Sequence, residues 1–318
     1  LSQAISFYGE SANKNFDEKN SIKKNNKINT KTYKTISKEK QLDELIKKLD
    51  EKSVIAVDTE TSSLNPQEAD LVGVSVCYEA SEAFYIPVGH KERTELKKDV
   101  VLKKLKPILE DPSIKKVGQN IKYDFIIFKN NGIELSSVED TMLLSYTLDA
   151  GNNRHNMDTL SELHLGHKTI SYKDLVGTGK KQLNFADVDI KPATEYAAED
   201  ADITLRLYEV LSERVSEEKL ERVYEEFEKP MIKILSRLEM NGIKVDDAYL
   251  KKLSKKFEER LITIEKEIYK ISGKKFNIGS PKQLGEIIYN DLKIAKLKKT
   301  KKGSLATSAK ILEDLAST

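Results

Sequence analysis

The sequence predicts an α/β domain followed by a mostly helical segment. Short apolar runs of strand length lie close together between residues 54 and 117. Apolar residues at helical spacing occur between these runs and after them, which predicts helices flanking a mixed sheet. Beyond Val215 the strand patterns fade and only the helical spacing continues.

The α/β part begins with a helix and then a buried strand. Pro107 should kink or shorten the helix in which it lies, and Pro192 suits the start of a helix because its missing N–H is not needed there. The predicted strands are Val54–Val57, Leu71–Tyr78, Ala83–Pro87 and Lys116-Val117. The predicted helices are Lys40–Leu49, residues 101–109, a helix that carries Asn120 and Asp124, Thr141–Leu148, Met157–Leu163 and Pro192–Val215.

The helical segment predicts two long helices. One runs from about Leu220 to Ile234 with a bend at Pro230, and Asn241-Gly242 then forms a turn. The second contains an apolar stripe of Leu250, Leu253, Phe257, Leu261, Ile264 and Ile268. On this pattern alone, an ordinary helical hairpin is an equally good interpretation.

Composition limits the functional classes only loosely. A chain of 318 residues allows one large or two ordinary domains, and its net charge of +2 neither requires nor excludes nucleic acid. The single cysteine, Cys77, lies in an apolar run and is expected in the core. We find no pattern of a signal peptide or a membrane helix, so a cytoplasmic protein is expected. Residues 1–31 are polar and predict a flexible lead-in, or alternatively a basic arm that touches nucleic acid.

Carboxylates occur in short motifs whose spacing suits the predicted local structure. Asp58 and Glu60 follow the first strand and are two residues apart, so both side chains leave the same strand face. Asn120 and Asp124 are four residues apart in a predicted helix and should share one of its faces.

A third motif, Tyr196-Ala197-Ala198-Glu199-Asp200, repeats the spacing of four in a later helix. If folding gathers the acids of the three motifs, like charges raise each other's pKa, and hard divalent cations resolve that conflict. Oxygen ligands without Cys or His favour Mg²⁺ or Mn²⁺ over Zn²⁺. Each motif alone is common on a solvated strand end or helix face, so their order along the chain is the stronger observation.

Taken together, the motifs resemble the proofreading 3′–5′ exonuclease domain of the bacterial DNA polymerase I family (family A), in the subgroup with a tyrosine in the third motif. The stretches that carry the resemblance are Asp58-Thr59-Glu60-Thr61, Val117-Gly118-Gln119-Asn120 and Tyr196–Asp202. Leu235–Ile243 resembles the first helix and turn of the polymerase domain, and Phe276-Asn277 with Lys299–Gly303 resembles the polymerase thumb. The resemblance extends from about Thr32 to the last residue.

The resemblance implies an RNase H-like mixed sheet with the acids at one end, followed by a partial polymerase thumb. The expected domains are the lead-in over residues 1–31, the exonuclease domain over 32–215 and an incomplete thumb over 216–318. The expected activity is metal-dependent hydrolysis of phosphodiester bonds from the 3′ end of single-stranded or frayed DNA, in proofreading during DNA replication and DNA repair. The expected location is cytoplasmic and nucleoid-associated.

The family's residue roles carry over to the matching positions. Two divalent cations, Mg²⁺ or Mn²⁺, would activate the attacking water and stabilise the leaving 3′ oxygen. Asp58 is expected to bridge both ions, Glu60 and Asp200 to complete the site of the attacking water, and Asp124 to reach the second ion through waters. Tyr196, a hydrogen-bond donor at neutral pH, is expected to orient the water.

Further residues are implied in substrate binding. Asn120 and Gln119 would support the second acid motif or the substrate, and Arg154 would contact a phosphate. Leu64 would insert between terminal bases and Tyr172 would stack on a base, with ordinary core packing as an equal alternative for both. The cluster expected on the duplex backbone is Lys296, Lys298, Lys299, Lys301 and Lys302.

Several neighbouring polar residues are expected to be structural. Glu199 and Asp202 point to other helical faces than Asp200 and are predicted to be surface charges. His164 and His167 have Gly166 between them and no third ligand, so we interpret them as structural. The acids predicted as caps or turns are Asp70, Asp140 and Asp174.

Two other functions stay open from the sequence. An RNA-trimming exonuclease of the same superfamily would share the acids but not the Asn241-Gly242 hairpin and the thumb-like tail. An inactive module that only binds DNA or a protein is less consistent with a complete set of acids and tyrosine. We find no carboxylate motif of polymerase type, so this polypeptide is not expected to synthesise DNA by itself. The rest of a polymerase is a possible partner.

Overall fold

The computed structural model describes residues 28–92, 94–179, 182–294, 303 and 305–317. The chain divides between Gly242 and Ile243 into two compact units. The predicted lead-in, apart from residues 28–31, and the predicted lysine cluster lie outside the described residues. The predicted domain boundary after residue 215 stays a prediction.

A mixed six-stranded sheet forms the centre of the described part of the first unit. The strands are β1 (Lys34–Thr35), β2 (Val54–Thr61), β3 (Leu71–Glu79), β4 (Glu82–Pro87), β5 (Lys115–Gly118) and β6 (Val138–Asp140). Their order across the sheet is β1-β4-β3-β2-β5-β6. Strand β3 is antiparallel to β2 and β4, whereas β2, β5 and β6 are mutually parallel. The carboxyl ends of these three parallel strands therefore meet at one edge.

Helices cover both faces of the sheet. They are α1 (Glu39–Asp50), α2 (Lys98–Glu110), α3 (Lys122–Asn130), α4 (Thr141–Asp149), α5 (Met157–Leu160), α6 (Tyr172–Val176), α7 (Ile190–Glu217), α8 (Glu221–Val223) and α9 (Lys229–Asn241). Single π-helical turns, Ser161–Leu165 and Tyr224–Glu228, follow α5 and α8. Helix α7 begins at Ile190 rather than at the predicted Pro192, which lies in its first turn.

The alternation of side chains along β2 assigns each residue to one helical layer. Ile55 and Val57 are buried in the core that also contains apolar residues of α1, α2 and α3. Ala56 faces the other way and packs with Cys77 and the alanines of α7. Continued along the strand, this alternation directs residues 58 and 60 toward α7 and residue 59 toward the opposite layer.

The second unit is helical in its described residues. Its helices are α10 (Asp247–Ser272), α11 (Pro281–Glu286) and α12 (Ala309–Ala316). The Asp246 carboxylate caps α10 by accepting from the N–H of Tyr249 at 2.9 Å, and Gly273 ends that helix with a φ of +67°. None of the residues of α10 is buried. Four residues of its apolar stripe, Leu250, Phe257, Leu261 and Ile264, are exposed, and Leu253 and Ile268 are half-buried.

The mixed sheet with helical layers, followed by a helical segment, confirms the predicted fold class. None of the helices in the described residues is both long enough and apolar enough to cross a membrane.

Candidate active site

The site begins at the carboxyl end of β2. Asp58 and Glu60 leave the strand on the α7 side, and the register with β3 places Glu60 opposite Gly73. A side chain at Gly73 would overlap the ring of Tyr85, since its Cβ would lie 2.1 Å from the Tyr85 hydroxyl oxygen. The glycine therefore allows the buried Tyr85 ring to lie beneath Glu60, and the strand register at the site is fixed by packing.

The second acid enters from α3. The turn before this helix contains Asn120 with a φ of +60°, and the helix itself begins at Lys122. The prediction that Asn120 and Asp124 share a helical face is therefore wrong, because Asn120 precedes the helix in a left-handed conformation. Both residues nevertheless line the same pocket.

Asp140 holds this turn in place. Its carboxylate accepts from the backbone N–H groups of Asn120 at 3.1 Å and Ile121 at 3.0 Å, and it also caps α4 through the N–H of Met142 at 2.8 Å. The prediction that Asp140 is a cap is confirmed. One buried carboxylate thus connects the starts of two helices.

The third motif lies on α7, where Tyr196 and Asp200 are one turn apart and face the pocket. Burial strongly raises the pKa of Tyr196, and the negative charge of Asp200 adds to this effect, so the phenol is neutral and keeps its proton beside that carboxylate. The Tyr196 ring packs against Phe185 and Tyr172, with ring centres about 6 Å apart. These aromatic contacts fix the direction of the hydroxyl group.

The four acids share a pocket of about 600 Å³. Asp58, Glu60 and Asp200 each place one carboxylate oxygen within 4.8 Å of the other two. Among the described residues that line the pocket, none is a lysine or an arginine. The oxygens converge without a positive charge from these described lining residues, and they match the ligands that Mg²⁺ and Mn²⁺ prefer.

The pKa shifts of the acids reflect this arrangement. Burial raises the pKa of Asp58 to about 6 and holds the pKa of Glu60 well above its ordinary value, where the charges of the other three acids add to the effect. The pKa of Asp200 and that of Asp124 are also raised, first by burial and then by the charge of Asp58. Bound cations would remove this penalty, because an opposite charge favours the ionised carboxylate.

The remaining sequence-predicted residues fall into two groups. Leu64 is 92% exposed and Tyr172 is 37% exposed, and both line the pocket, so Leu64 is not a core residue. Gln119 also lines the pocket, whereas Arg154 is exposed and is not part of the lining.

The side chain of Gln119 connects the start of α4 to the loop that contains His155. Its Nε2 donates to the backbone carbonyl of His155 at 2.8 Å, and its Oε1 accepts from the hydroxyl group of Thr141. Because His155 directly follows Arg154, these bonds hold the backbone on which Arg154 is carried.

Sequence reasoning missed several pocket residues. Thr59 donates two hydrogen bonds to Asp124, from its N–H at 2.9 Å and from its hydroxyl group at 2.5 Å. The position of Thr59 between Asp58 and Glu60 could have indicated that it belongs to the site. Four further lining residues lie in a segment that no sequence motif indicated: Gln182, Leu183, Asn184 and Phe185.

Two acids beside Asp200 were predicted to be surface charges, and the structure shows that this is wrong. Glu199 is buried and accepts from the N–H of Ile170 at 2.6 Å, with His167 Nε2 at 2.9 Å. Asp202 is fully buried and accepts from the Tyr33 hydroxyl group at 2.8 Å and from other donors. The contact with Glu199 agrees with a structural role for His167.

Comparison with known proteins identifies the families that this chain matches. Residues 33–216 match the family model described as 3′-5′ exonuclease, and residues 247–318 match that of DNA polymerase family A. DNA polymerase I of Rhizobium leguminosarum is 44% identical over 283 residues, which are 83% of this chain and 28% of that protein. DNA polymerase I of Pseudomonas aeruginosa is 42% identical over 291 residues, 89% of this chain and 32% of that protein. The chain thus spans about a third of the length of these curated relatives.

A solved structure shares the fold. It is the POL domain of Pol1 from M. smegmatis, in complex with DNA primer-template and dNTP, with a TM-score of 0.67 at 22% sequence identity. The similarity covers 89% of this chain and 45% of that chain.

Proposed function

The chain belongs to the 3′–5′ exonuclease family, in the form of this domain that DNA polymerase I carries, and from this premise we propose that it removes nucleotides from the 3′ end of single-stranded or frayed DNA. The observation that supports this most directly is the convergence of Asp58, Glu60 and Asp200 within 4.8 Å in an open pocket beside Tyr196.

The donor set fits two hard divalent cations. Asp58 would be shared between both ions, Glu60 and Asp200 would complete one site, and Asp124 would contribute to the other. When bound, such a pair supplies a deprotonated water at neutral pH and neutralises charge on the leaving oxygen. All ligand atoms are carboxylate oxygens, so Mg²⁺ and Mn²⁺ are the ions proposed.

The protein's own groups orient the reactants. The neutral Tyr196 hydroxyl group and the Glu60 carboxylate would align the attacking water with the last phosphodiester bond. That bond breaks between phosphorus and the 3′ oxygen of the preceding nucleotide, so a nucleoside 5′-monophosphate leaves. Leu64 at the rim and the Tyr172 ring would separate and stack the terminal bases, so a frayed end should be the preferred substrate.

The match of residues 247–318 to DNA polymerase family A supports a wider role. In that role the domain proofreads for a polymerase, in a cytoplasmic and nucleoid-associated setting. The lysines of residues 296–302, outside the described part of the chain, would contact the duplex backbone.

The test is an assay with 5′-labelled single-stranded DNA, RNA and blunt duplex DNA, in Mg²⁺, Mn²⁺ or a chelator. We expect a ladder of products shortened from the 3′ end of DNA, in either metal, and none with the chelator. A matched oligonucleotide with a blocked 3′ end should resist degradation. Faster trimming of RNA than of DNA would favour the RNA exonuclease, and failure to degrade any strand would contradict the proposal.

A further inference from the structure

Asp124 has surroundings that differ from those of the other three acids. Among the described residues, the group whose oxygens lie within 4.8 Å of one another consists of Asp58, Glu60 and Asp200, without Asp124. Asp124 is nevertheless buried at 2% exposure and lines the same pocket. The four acids are therefore divided into a group of three and a single acid.

Thr59 accounts for the position of the single acid. Asp124 Oδ1 accepts from both the N–H and the hydroxyl group of Thr59. Two donors therefore occupy Oδ1, and neither of these hydrogen bonds uses Oδ2. Thr59 is itself buried at 7% exposure, which shields both hydrogen bonds from water.

The strand explains why one residue can do this. Side chains alternate along β2, so Asp58 and Glu60 face α7 while Thr59 between them faces the layer that contains α3. A β-branched side chain in a strand has few χ1 rotamers, so the direction of the hydroxyl group is restricted. The register of β2 thus sets the positions of three carboxylates at once.

We propose that Thr59 is a positioning residue that holds Asp124 as a one-oxygen ligand, set apart from the other three acids, for the second and weaker of two divalent cations. This inference rests on the proposed function. It extends that function because it attributes the difference in cation affinity between the two sites to the Thr59 hydroxyl group, which is not itself a metal ligand.

The test compares Thr59→Val with Thr59→Ser in the full 318-residue chain. Valine keeps the shape and the β-branch but removes the hydroxyl group, whereas serine keeps the hydroxyl group. Calorimetric titration with Mn²⁺ alone, without substrate, should show two classes of binding in the wild type. We expect Thr59→Val to weaken the weaker class about tenfold and to leave the tighter class unchanged, as is usual when the support of a metal ligand is lost. Thr59→Ser should bind nearly as the wild type does.

A double-mutant cycle shows whether Thr59 acts through Asp124. In an Asp124→Ala background, Thr59→Val should cause no further loss in Mn²⁺ binding or in hydrolysis. Thermal unfolding without metal reports whether each variant is folded, and Thr59→Ala replaces the valine variant if that one does not fold.

The possible failures can be distinguished. Normal Mn²⁺ binding by Thr59→Val, equal losses in the serine and valine variants, or an effect that persists in the Asp124→Ala background would each overturn this inference alone. A wild-type chain that binds no Mn²⁺ would overturn it together with the proposed function.

Discussion

Asp200 and Asp202 lie two residues apart on α7, and both are buried, at 9% and 0% exposure. A separation of two places them about 200° apart around a helix, so they face different regions. Asp202 accepts hydrogen bonds from the Tyr33 hydroxyl group, the N–H of Ser81 and the guanidinium of Arg206, all within 2.9 Å. Asp200 lies in the pocket with the neutral Tyr196 and faces the carboxylates of Asp58 and Glu60.

Burial alone therefore does not identify a functional acid in this protein. Asp202 and Glu199 are surrounded by donors and connect α7 to neighbouring segments. Asp58, Glu60 and Asp200 converge without a cation from the described residues of the pocket. The first arrangement stabilises the fold and the second is suited to bind metal ions, because an uncompensated buried carboxylate is costly unless a positive charge is supplied.

Exchanging each aspartate for alanine gives the largest expected contrast. Asp200→Ala should lower DNA hydrolysis by about 10³-fold or more, since metal ions contribute several kcal/mol to such reactions, without lowering the free energy of unfolding of the metal-free protein. Asp202→Ala should lower that free energy by about 3–5 kcal/mol, because it removes the carboxylate that pairs with Arg206. At temperatures where this variant is still folded, its rate of hydrolysis should fall less than tenfold. Denaturant unfolding and the oligonucleotide assay measure both quantities. The comparison fails if Asp200→Ala proves the more destabilised of the two.

The pH dependence of stability is the next contrast. Because the pKa of Asp58 is raised from 3.8 to about 6, the folded state binds more protons than the unfolded state in that range, and stability falls as pH rises. The loss from this residue is on the order of 3 kcal/mol, and the raised pKa values of the other acids extend it to higher pH. We expect the melting temperature of the chelated protein to be lower at pH 8 than at pH 5, and Mg²⁺ or Mn²⁺ to restore it mainly at pH 8. Asp58→Asn should flatten this slope, and a melting temperature that rises over the same range without metal would argue against uncompensated acids.

Tyr196→Phe tests the hydroxyl group that lies in the pocket beside Asp200. Removing it should slow hydrolysis roughly 10- to 100-fold, near the low end for positioned proton donors, while the aromatic contacts with Tyr172 and Phe185 are kept. Single-turnover rates at saturating metal measure the effect. An unchanged rate would remove the proposed role in orienting water.

The smallest expected effect concerns the loop that carries Arg154. Gln119→Leu removes the hydrogen bond to the carbonyl of His155, worth about 1 kcal/mol or about fivefold in kcat/KM. If Gln119 acts by holding that loop, the loss should disappear in an Arg154→Ala background. A loss of equal size in both backgrounds would instead indicate that Gln119 contacts the substrate directly.

The sequence predicted the parts of the site that depend on local geometry. The spacing of two in Asp58 and Glu60 and the spacing of four in Tyr196 and Asp200 correspond to one strand face and one helix face in the structure. The same reasoning failed at Asn120, because a spacing of four carries no information about where a helix begins. The left-handed turn is explained by the hydrogen bonds that the N–H groups of Asn120 and Ile121 donate to Asp140, which lies 20 residues after Asn120 in the chain.

By itself, the sequence determined which side chains share a face, since backbone periodicity acts over a few residues. Only the tertiary structure decided what covers each face. Periodicity cannot tell that the side of α7 with Asp202 meets Tyr33 and Ser81. Nor can it tell that Thr59 reaches Asp124 across 65 positions, or that the described residues of the pocket provide no cation for the remaining acids. The physical reason is that desolvation and long-range hydrogen bonding depend on segments distant in the chain, and these interactions give identical carboxylates different roles.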